Sequence, residues 1–289
     1  MGFLDNFEKA KKEKRAEARS KFFDPTRNET IRIVAEGDSW YDYPVIKDIV
    51  DFLIDWDYCV IKESEAGDTL ENIVYGNSYS IDDRTGTAIH YGKPNLNYTI
   101  KAVEEYNPQI VLFSAGGNDI LGPELAQYLN HAASDPDTFL RKEVFDRTVK
   151  GPIREAITCF IERVIAVNPN VDILMDGYDY PFPTGKKFRL FGLGLSGPWL
   201  LPAFARKGIT NFNEQRVVIR QIVDKFNELL AELQQEYDQF HHLDLRGTFP
   251  QKADWRDELH LTSDGFEIAA RIYDQKIKGL LNKRLAQAG

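Results

Sequence analysis

Several short stretches of this 289-residue chain carry side chains of the kinds that attack carbonyl carbons and move protons. Gly37-Asp38-Ser39 offers a hydroxyl. A serine hydroxyl is a weak nucleophile until a base takes its proton, and histidine, titrating near neutral pH, suits that task. Asp257-Glu258-Leu259-His260 supplies such a base, with a carboxylate three residues back that can reach and orient the ring. Gly116-Gly117-Asn118-Asp119 adds an amide able to donate to a developing oxyanion, beside glycines that let the backbone come close. Gly67, in Glu65-Ala66-Gly67-Asp68, offers a bare N–H for the same purpose. Each stretch also has a plainer use. Gly, Asp and Ser suit any turn that ends a strand, a DxxH is often a solvated surface pair, and Gly67 serves equally as a turn glycine.

The chemistry needs a scaffold that brings these stretches together, and the hydrophobic pattern predicts one. From Thr30 onward, short β-branched or apolar runs alternate with longer helical patterns, the mark of a parallel sheet wound with helices. Strands are expected at 31–36, 58–62, 109–114, 171–176 and 240–245. Helices are expected at 46–56, 69–75, 97–106, 137–167, 213–237 and 263–285, the last opened by Asp264 and Glu267 at capping spacing. Ser39, Gly67 and Asn118 then fall just past the first three strands, at the edge where open α/β sheets bind ligands. A helix N-terminus behind Ser39 would present N–H groups to an oxyanion.

Two connections are too long for plain turns: 76–96, polar and glycine-containing, and 177–211, which holds Tyr178, Tyr180, Phe182 and the apolar stretch 188–204. Long loops in compact domains usually carry function or are disordered. The pattern predicts one main domain over 24–289 and an N-terminal arm over 1–23. In that arm Phe3, Phe7 and Ala10 share a helical face, and seven Lys/Arg accompany three acids from Glu8 on. It reads as a solvated helix docking its phenylalanines on the body, or as an arm making peripheral contact with a membrane surface or a partner.

Composition narrows the rest. Formal charge is 36 − 45 = −9, which disfavours nucleic acid as a partner, and a 43% hydrophobic content is ample for a core. Cys59 and Cys159 sit in apolar runs and read as buried thiols rather than a disulfide or a thiolate metal site. No eighteen apolar residues run together and no signal-peptide pattern opens the chain, so a soluble, cytoplasmic protein without a transmembrane segment is expected.

GDS at 37–39, the lone Gly67, GxND at 116–119 and DxxH at 257–260 stand in the order of the four blocks of the SGNH hydrolases, the GDSL-like lipase/acylhydrolase family. The resemblance spans about residues 30–275. It implies a three-layer α/β/α sandwich of flavodoxin-like type around a five-stranded parallel sheet. It further implies Ser39 as nucleophile, His260 as base and Asp257 as its orienter. Ser39 N–H, Gly67 N–H and the Asn118 amide would form the oxyanion hole. The activity implied is hydrolysis of small-molecule or lipid-like carboxylic esters through an acyl-enzyme, without metal or cofactor. A thioesterase, a carbohydrate deacetylase, a phospholipase or a non-catalytic binding module on the same scaffold are the alternatives.

One departure stands beside the nucleophile, where the family's usual aliphatic residue is Trp40, followed by Tyr41 and Tyr43. Trp40, Tyr41, Tyr180, Phe191 and Trp199 are the candidates for substrate contact, with packing as the other reading. Residues 186–206 read either as a lid over the site or as buried scaffold. The G-x-G-x-x-G at 192–197 runs straight into Pro198 and lacks a surrounding βαβ unit, so dinucleotide binding is not expected. His241-His242 has only Asp244 at ligand spacing, and His90 and His131 lie in irregular or polar context; no metal site is expected.

Overall fold

A computed structural model describes residues 2–24, 31–90, 94–190 and 193–288. The helices, in chain order, are α1 (Gly2–Phe22), α2 (Ile49–Asp55), α3 (Leu70–Tyr75), α4 (Leu96–Tyr106), α5 (Gly117–Leu121), α6 (Lys142–Thr148), α7 (Arg154–Val167), α8 (Leu201–Arg206), α9 (Phe212–Glu236) and α10 (Ser263–Ala288). The strands are β1 (Arg32–Gly37), β2 (Cys59–Lys62), β3 (Tyr79–Ile81), β4 (Ala88–His90), β5 (Ile110–Ser114), β6 (Asp172–Asp176), β7 (Phe188–Leu190), β8 (Leu193–Ser196) and β9 (Phe240–Leu243).

Five strands form the parallel sheet in the order β2-β1-β5-β6-β9. Every residue of β5 and β6 is buried, because helices cover both faces and leave no room for a polar side to the strand. α1, α2 and α10 pack together on one side, while α3, α4 and α7 associate on the other, with α9 alongside. The result is the expected flavodoxin-like three-layer sandwich. Its strand order reverses between β1 and β5, so the carboxyl ends of those two strands open a crevice. Gly37 ends β1 with its Cα so close to β5 that a Cβ would lie 2.5 Å from the Ser114 carbonyl, which only glycine tolerates.

Three expectations need correction. The single helix over 137–167 is broken: Pro152 has no N–H to donate and Gly151 leaves helical geometry (φ −100°, ψ −109°), so α6 and α7 meet through a wide turn at 149–153. The connection 76–96 contains a hairpin, β3 paired antiparallel with β4. The connection 177–211 likewise contains the β7–β8 hairpin and then α8, whose flanking Leu200 and internal Phe204 are fully buried. Part of 186–206 is therefore built into the body.

Five basic residues of α1, Lys11, Lys14, Arg15, Arg19 and Lys21, reach carboxylates of the domain. Arg15 bonds both oxygens of Asp51 (2.7 and 3.0 Å), Asp48 (2.9 Å) and Asp42 (3.0 Å). Lys11, buried, reaches Asp51 at 2.8 Å. Removing one member of a buried ion pair strands the other charge, at about 3–5 kcal/mol. Ala18 and Phe22 complete the docked face; the side chains of Phe3 and Phe7 lie outside the described residues. Among the described residues no helix is long and apolar enough to cross a membrane.

Candidate active site

β1 delivers its last residues to the switch point and turns at once. Asp38 N–H donates to Ser114 O (2.9 Å), the Asp38 carboxylate accepts Trp40 N–H (2.9 Å), and Tyr41 and Asp42 N–H return to Asp38 O. This single turn aims the Ser39 side chain out of the sheet edge. Tyr178, at the end of β6, donates its hydroxyl to the other Asp38 oxygen at 2.6 Å. It adopts φ +61°, an uncommon left-handed conformation for a bulky residue. Burial pushes the Asp38 carboxyl up to about 7, against the pull of the Tyr178 and Trp40 donors.

The residues after β9 bring the partner. In the turn 255–262, the Asp257 carboxylate accepts the backbone N–H groups of Leu259 and His260, each at 2.9 Å. The same carboxylate faces His260 Nδ1 at 2.8 and 3.0 Å. A carboxylate on Nδ1 assigns the proton there and leaves Nε2 as acceptor, and Nε2 lies 2.7 Å from Ser39 Oγ. Burial acts to raise the Asp257 pKa, yet His260 and the N–H and hydroxyl donors prevail and hold it below the usual aspartate value. Such a line of hydroxyl, imidazole and carboxylate can pass a proton from oxygen to nitrogen as the oxygen attacks.

Asn118 opens α5 and donates its amide to Asp68 O at 2.7 Å, while Leu70 N–H donates to Asp119 (3.0 Å). These bonds tie the turn holding Gly67 (φ +90°, exposed) to the end of β5. Gly116 (φ +102°) permits the tight exit from that strand; a Cβ there would meet the Phe226 ring at 2.7 Å. Neither Ser39 N–H nor Gly67 N–H has a protein acceptor among the described residues.

The cleft in front of Ser39 is small and open to solvent, with a cavity volume of about 20 Å³, and Trp40, Asn118, Leu121, Pro181, Trp255 and Leu259 are among its walls. Ser39, Asn118, His260 and Trp40 thus converge, with Asp257 directly behind the histidine. Other candidates lie elsewhere. Tyr41 is fully buried beneath the site with its hydroxyl on that of Tyr273 (2.8 Å), a core position rather than a wall. Tyr180 turns its hydroxyl to Asp224 (2.6 Å) and does not line the cleft. Gly67 is likewise outside the cleft walls. Trp199 sets its ring edge-on to His260, centroids 5.5 Å apart. Phe191 lies outside the described residues.

Three residues at the site are not among the candidates the sequence offers. Tyr43 donates its hydroxyl to Asp257 at 2.8 Å. Trp255 walls the cleft, two residues before Asp257. Glu258 is wholly buried and accepts four backbone N–H groups, from Gly185 (2.8 Å), Trp199 (2.6 Å), Leu200 (2.7 Å) and Leu201 (3.2 Å). A charged residue inside DxxH was the available signal for Glu258, and the aromatic run GDSWYDYP was the signal for Tyr43.

Residues 67–268 match the model of the GDSL-like lipase/acylhydrolase family. The match begins at Gly67 and leaves Ser39 outside it, so the Ser39–His260 pairing is supplied by the structure. Among solved structures, the chain is similar to the lipase Lip_vut3 from a goat rumen metagenome (TM-score 0.53, 12% identity, 85% of this chain and 97% of that one). It is similar also to phospholipase A1 from Streptomyces albidoflavus NA297 (0.53, 12%, 86% and 99%) and to an extracellular lipase from Streptomyces rimosus (0.51, 12%, 85% and 99%). At that identity the likeness is one of fold. No curated protein sequence matches the chain.

Proposed function

Because the chain belongs to the GDSL-like lipase/acylhydrolase family, we propose that it hydrolyses carboxylic esters with short acyl groups through an acyl-enzyme on Ser39. The observation that carries this reading is the unbroken line from Ser39 Oγ to His260 Nε2 (2.7 Å) and from His260 Nδ1 to Asp257 (2.8 Å). Ser39 Oγ attacks the ester carbonyl as its proton passes to Nε2, and Asp257 stabilises the imidazolium that forms. The oxyanion is received by Ser39 N–H and the second N–H of the Asn118 amide, the first being held by Asp68 O; Gly67 N–H, outside the cleft walls, is the third donor that the family resemblance implies. His260 then returns the proton to the leaving alcohol, and water repeats the sequence on the acyl-enzyme.

The size of the cleft supports the short acyl group: about 20 Å³ beside the Trp40 and Trp255 indoles leaves little depth for a long chain. The test is labelling with a serine-directed fluorophosphonate beside turnover of p-nitrophenyl acetate. Ser39→Ala is expected to lose at least about a thousandfold in kcat while staying folded, and the wild-type label to map to Ser39 alone. A label on another serine, or turnover that survives the substitution, overturns the assignment.

A further inference from the structure

The line of hydrogen bonds does not end at Asp257. Of that carboxylate's two oxygens, Oδ1 takes Leu259 N–H, His260 N–H and the shorter contact with Nδ1. Oδ2 has the longer Nδ1 contact (3.0 Å) and, as its own donor, the Tyr43 hydroxyl at 2.8 Å. The Tyr43 side chain is buried, and its ring lies against the His260 imidazole with centroids 4.5 Å apart and a 45° tilt, its far edge closed by Phe188. Burial drives the phenol pKa far upward, with the Asp257 charge acting the same way, so this hydroxyl stays protonated and serves as a donor.

The backbone of Tyr43 is held from the other side. Lys11, on α1, buries its ammonium and donates to Tyr43 O at 2.6 Å and to Ile46 O at 2.9 Å, with Asp51 and Asp48 as counter-charges. Between β1 and α2 the chain passes through 38–48 without regular structure, and Val45 there has φ +69°. A loop of this kind needs outside support to hold a side chain to hydrogen-bond tolerance. Lys11 supplies it, reaching two of the loop's carbonyls across 32 and 35 residues of sequence.

We propose that Tyr43 is a positioning residue for the Asp257–His260 pair and that Lys11 holds Tyr43 in place, which makes the N-terminal helix part of the catalytic scaffold. The inference rests on the serine-hydrolase reading of the site. Without the tyrosine hydroxyl, a buried carboxylate oxygen loses its dedicated donor, and Asp257 rotates or binds the histidine less squarely. The effect falls on the step in which His260 takes the proton, not on the cleft that receives the acyl group.

The test is steady-state kinetics with p-nitrophenyl acetate, fluorophosphonate labelling and thermal melts on wild type, Tyr43→Phe, Lys11→Met and the double variant. Tyr43→Phe is expected to lower kcat about tenfold, the value of one hydrogen bond to a charged group, with KM within twofold. Lys11→Met is expected to lower kcat by several-fold in the wild type and to add nothing in the Tyr43→Phe background, since it acts through that residue. If Lys11→Met does not fold, Lys11→Gln, neutral but still a donor, replaces it in the same cycle. Wild-type kcat in Tyr43→Phe overturns the role of the tyrosine, and additive losses in the double variant overturn the role of Lys11. A wild type that neither turns over ester nor takes label at Ser39 overturns the reading of the site, and this inference with it.

Discussion

The two long connections, alike in the sequence, end in opposite conditions. In the first, residues 79–90 fold into the β3–β4 hairpin with every one of its six strand residues exposed; Tyr79 shows 64% of its surface and Ile81 57%. The hairpin is held by local bonds: the Asp82 carboxylate on Arg84 and Thr85 N–H, and His90 on Gly76 O. Residues 177–211 also form a hairpin, yet their ends are driven inward, with Tyr178, Phe182, Leu200 and Phe204 buried. The difference is an acceptor. Glu258 gathers four N–H groups of the second connection, and among the described residues no buried carboxylate accepts backbone N–H groups of the first. Apolar content alone does not decide whether a long loop packs; a buried polar group able to satisfy its backbone does.

The hardest way to break that contrast is to remove the acceptor. Glu258→Ala leaves four N–H groups unpaired, that of Leu200 buried and those of Gly185, Trp199 and Leu201 part-buried, the buried one costing about 1–3 kcal/mol and the others less. A loss of about 2–4 kcal/mol is expected by urea unfolding, with activity falling because Trp199 leaves His260. Glu258→Gln keeps one acceptor oxygen and should lie between the two. Burial pushes the Glu258 carboxyl above the ordinary glutamate value while its N–H donors oppose. Wild-type stability in Glu258→Ala would show that packing of Leu200 and Phe204 suffices.

A smaller effect sharpens the comparison at the cleft. Leu259, between Glu258 and His260, is half-buried and forms part of the wall. If the clamped turn sets the depth of the acyl pocket, the wild type prefers acetyl or propionyl esters and loses kcat/KM beyond butyryl. Leu259→Ala then moves the optimum to longer chains, with gains up to about fourfold per added methylene, the equivalent of ~0.8 kcal/mol. The backbone donor to Asp257 is unchanged by this substitution. A chain-length series measured on both proteins decides; parallel profiles would place the acyl group against another wall.

The sequence makes the scaffold legible because its signals are local and repeated. Alternating strand and helix patterns give the five parallel strands within a few residues; three of the four short motifs follow strands, and DxxH stands in the turn before α10. Ser39, His260, Asp257 and Asn118 come together as those motifs lead one to expect. What pattern cannot show is who meets whom across the chain. Tyr43 and Asp257 are 214 residues apart, and Glu258 and Gly185 are 73. Tyr41 reads like Trp40, its neighbour, yet one turn of backbone sends it into the core and leaves Trp40 on the cleft. The break in the long helix is legible at Gly151-Pro152, where the proline lacks the N–H that a continuous helix needs.

The gentlest test lies on the other side of the comparison. The exposed hairpin contributes no buried side chain, and its two strands bond chiefly to each other. Replacing 79–90 with Gly-Ser-Gly removes Tyr79, Ile81 and Ile89, which expose more than half their surface, and so gives up almost no burial. The strand ends are neighbours, since Tyr79 pairs with His90, so a short linker closes the gap without pulling on α3 or α4. Shortening the loop lowers closure entropy by a few tenths of a kcal/mol in favour of the folded state, against the lost contact of His90 with Gly76 O. The two nearly cancel, and stability is expected to change by less than about 1 kcal/mol in urea unfolding. Turnover of a small ester such as p-nitrophenyl acetate is expected within twofold of wild type. A loss of several kcal/mol would mean that the hairpin supports the Gly67 turn below it, and the two connections would then differ in degree rather than in kind.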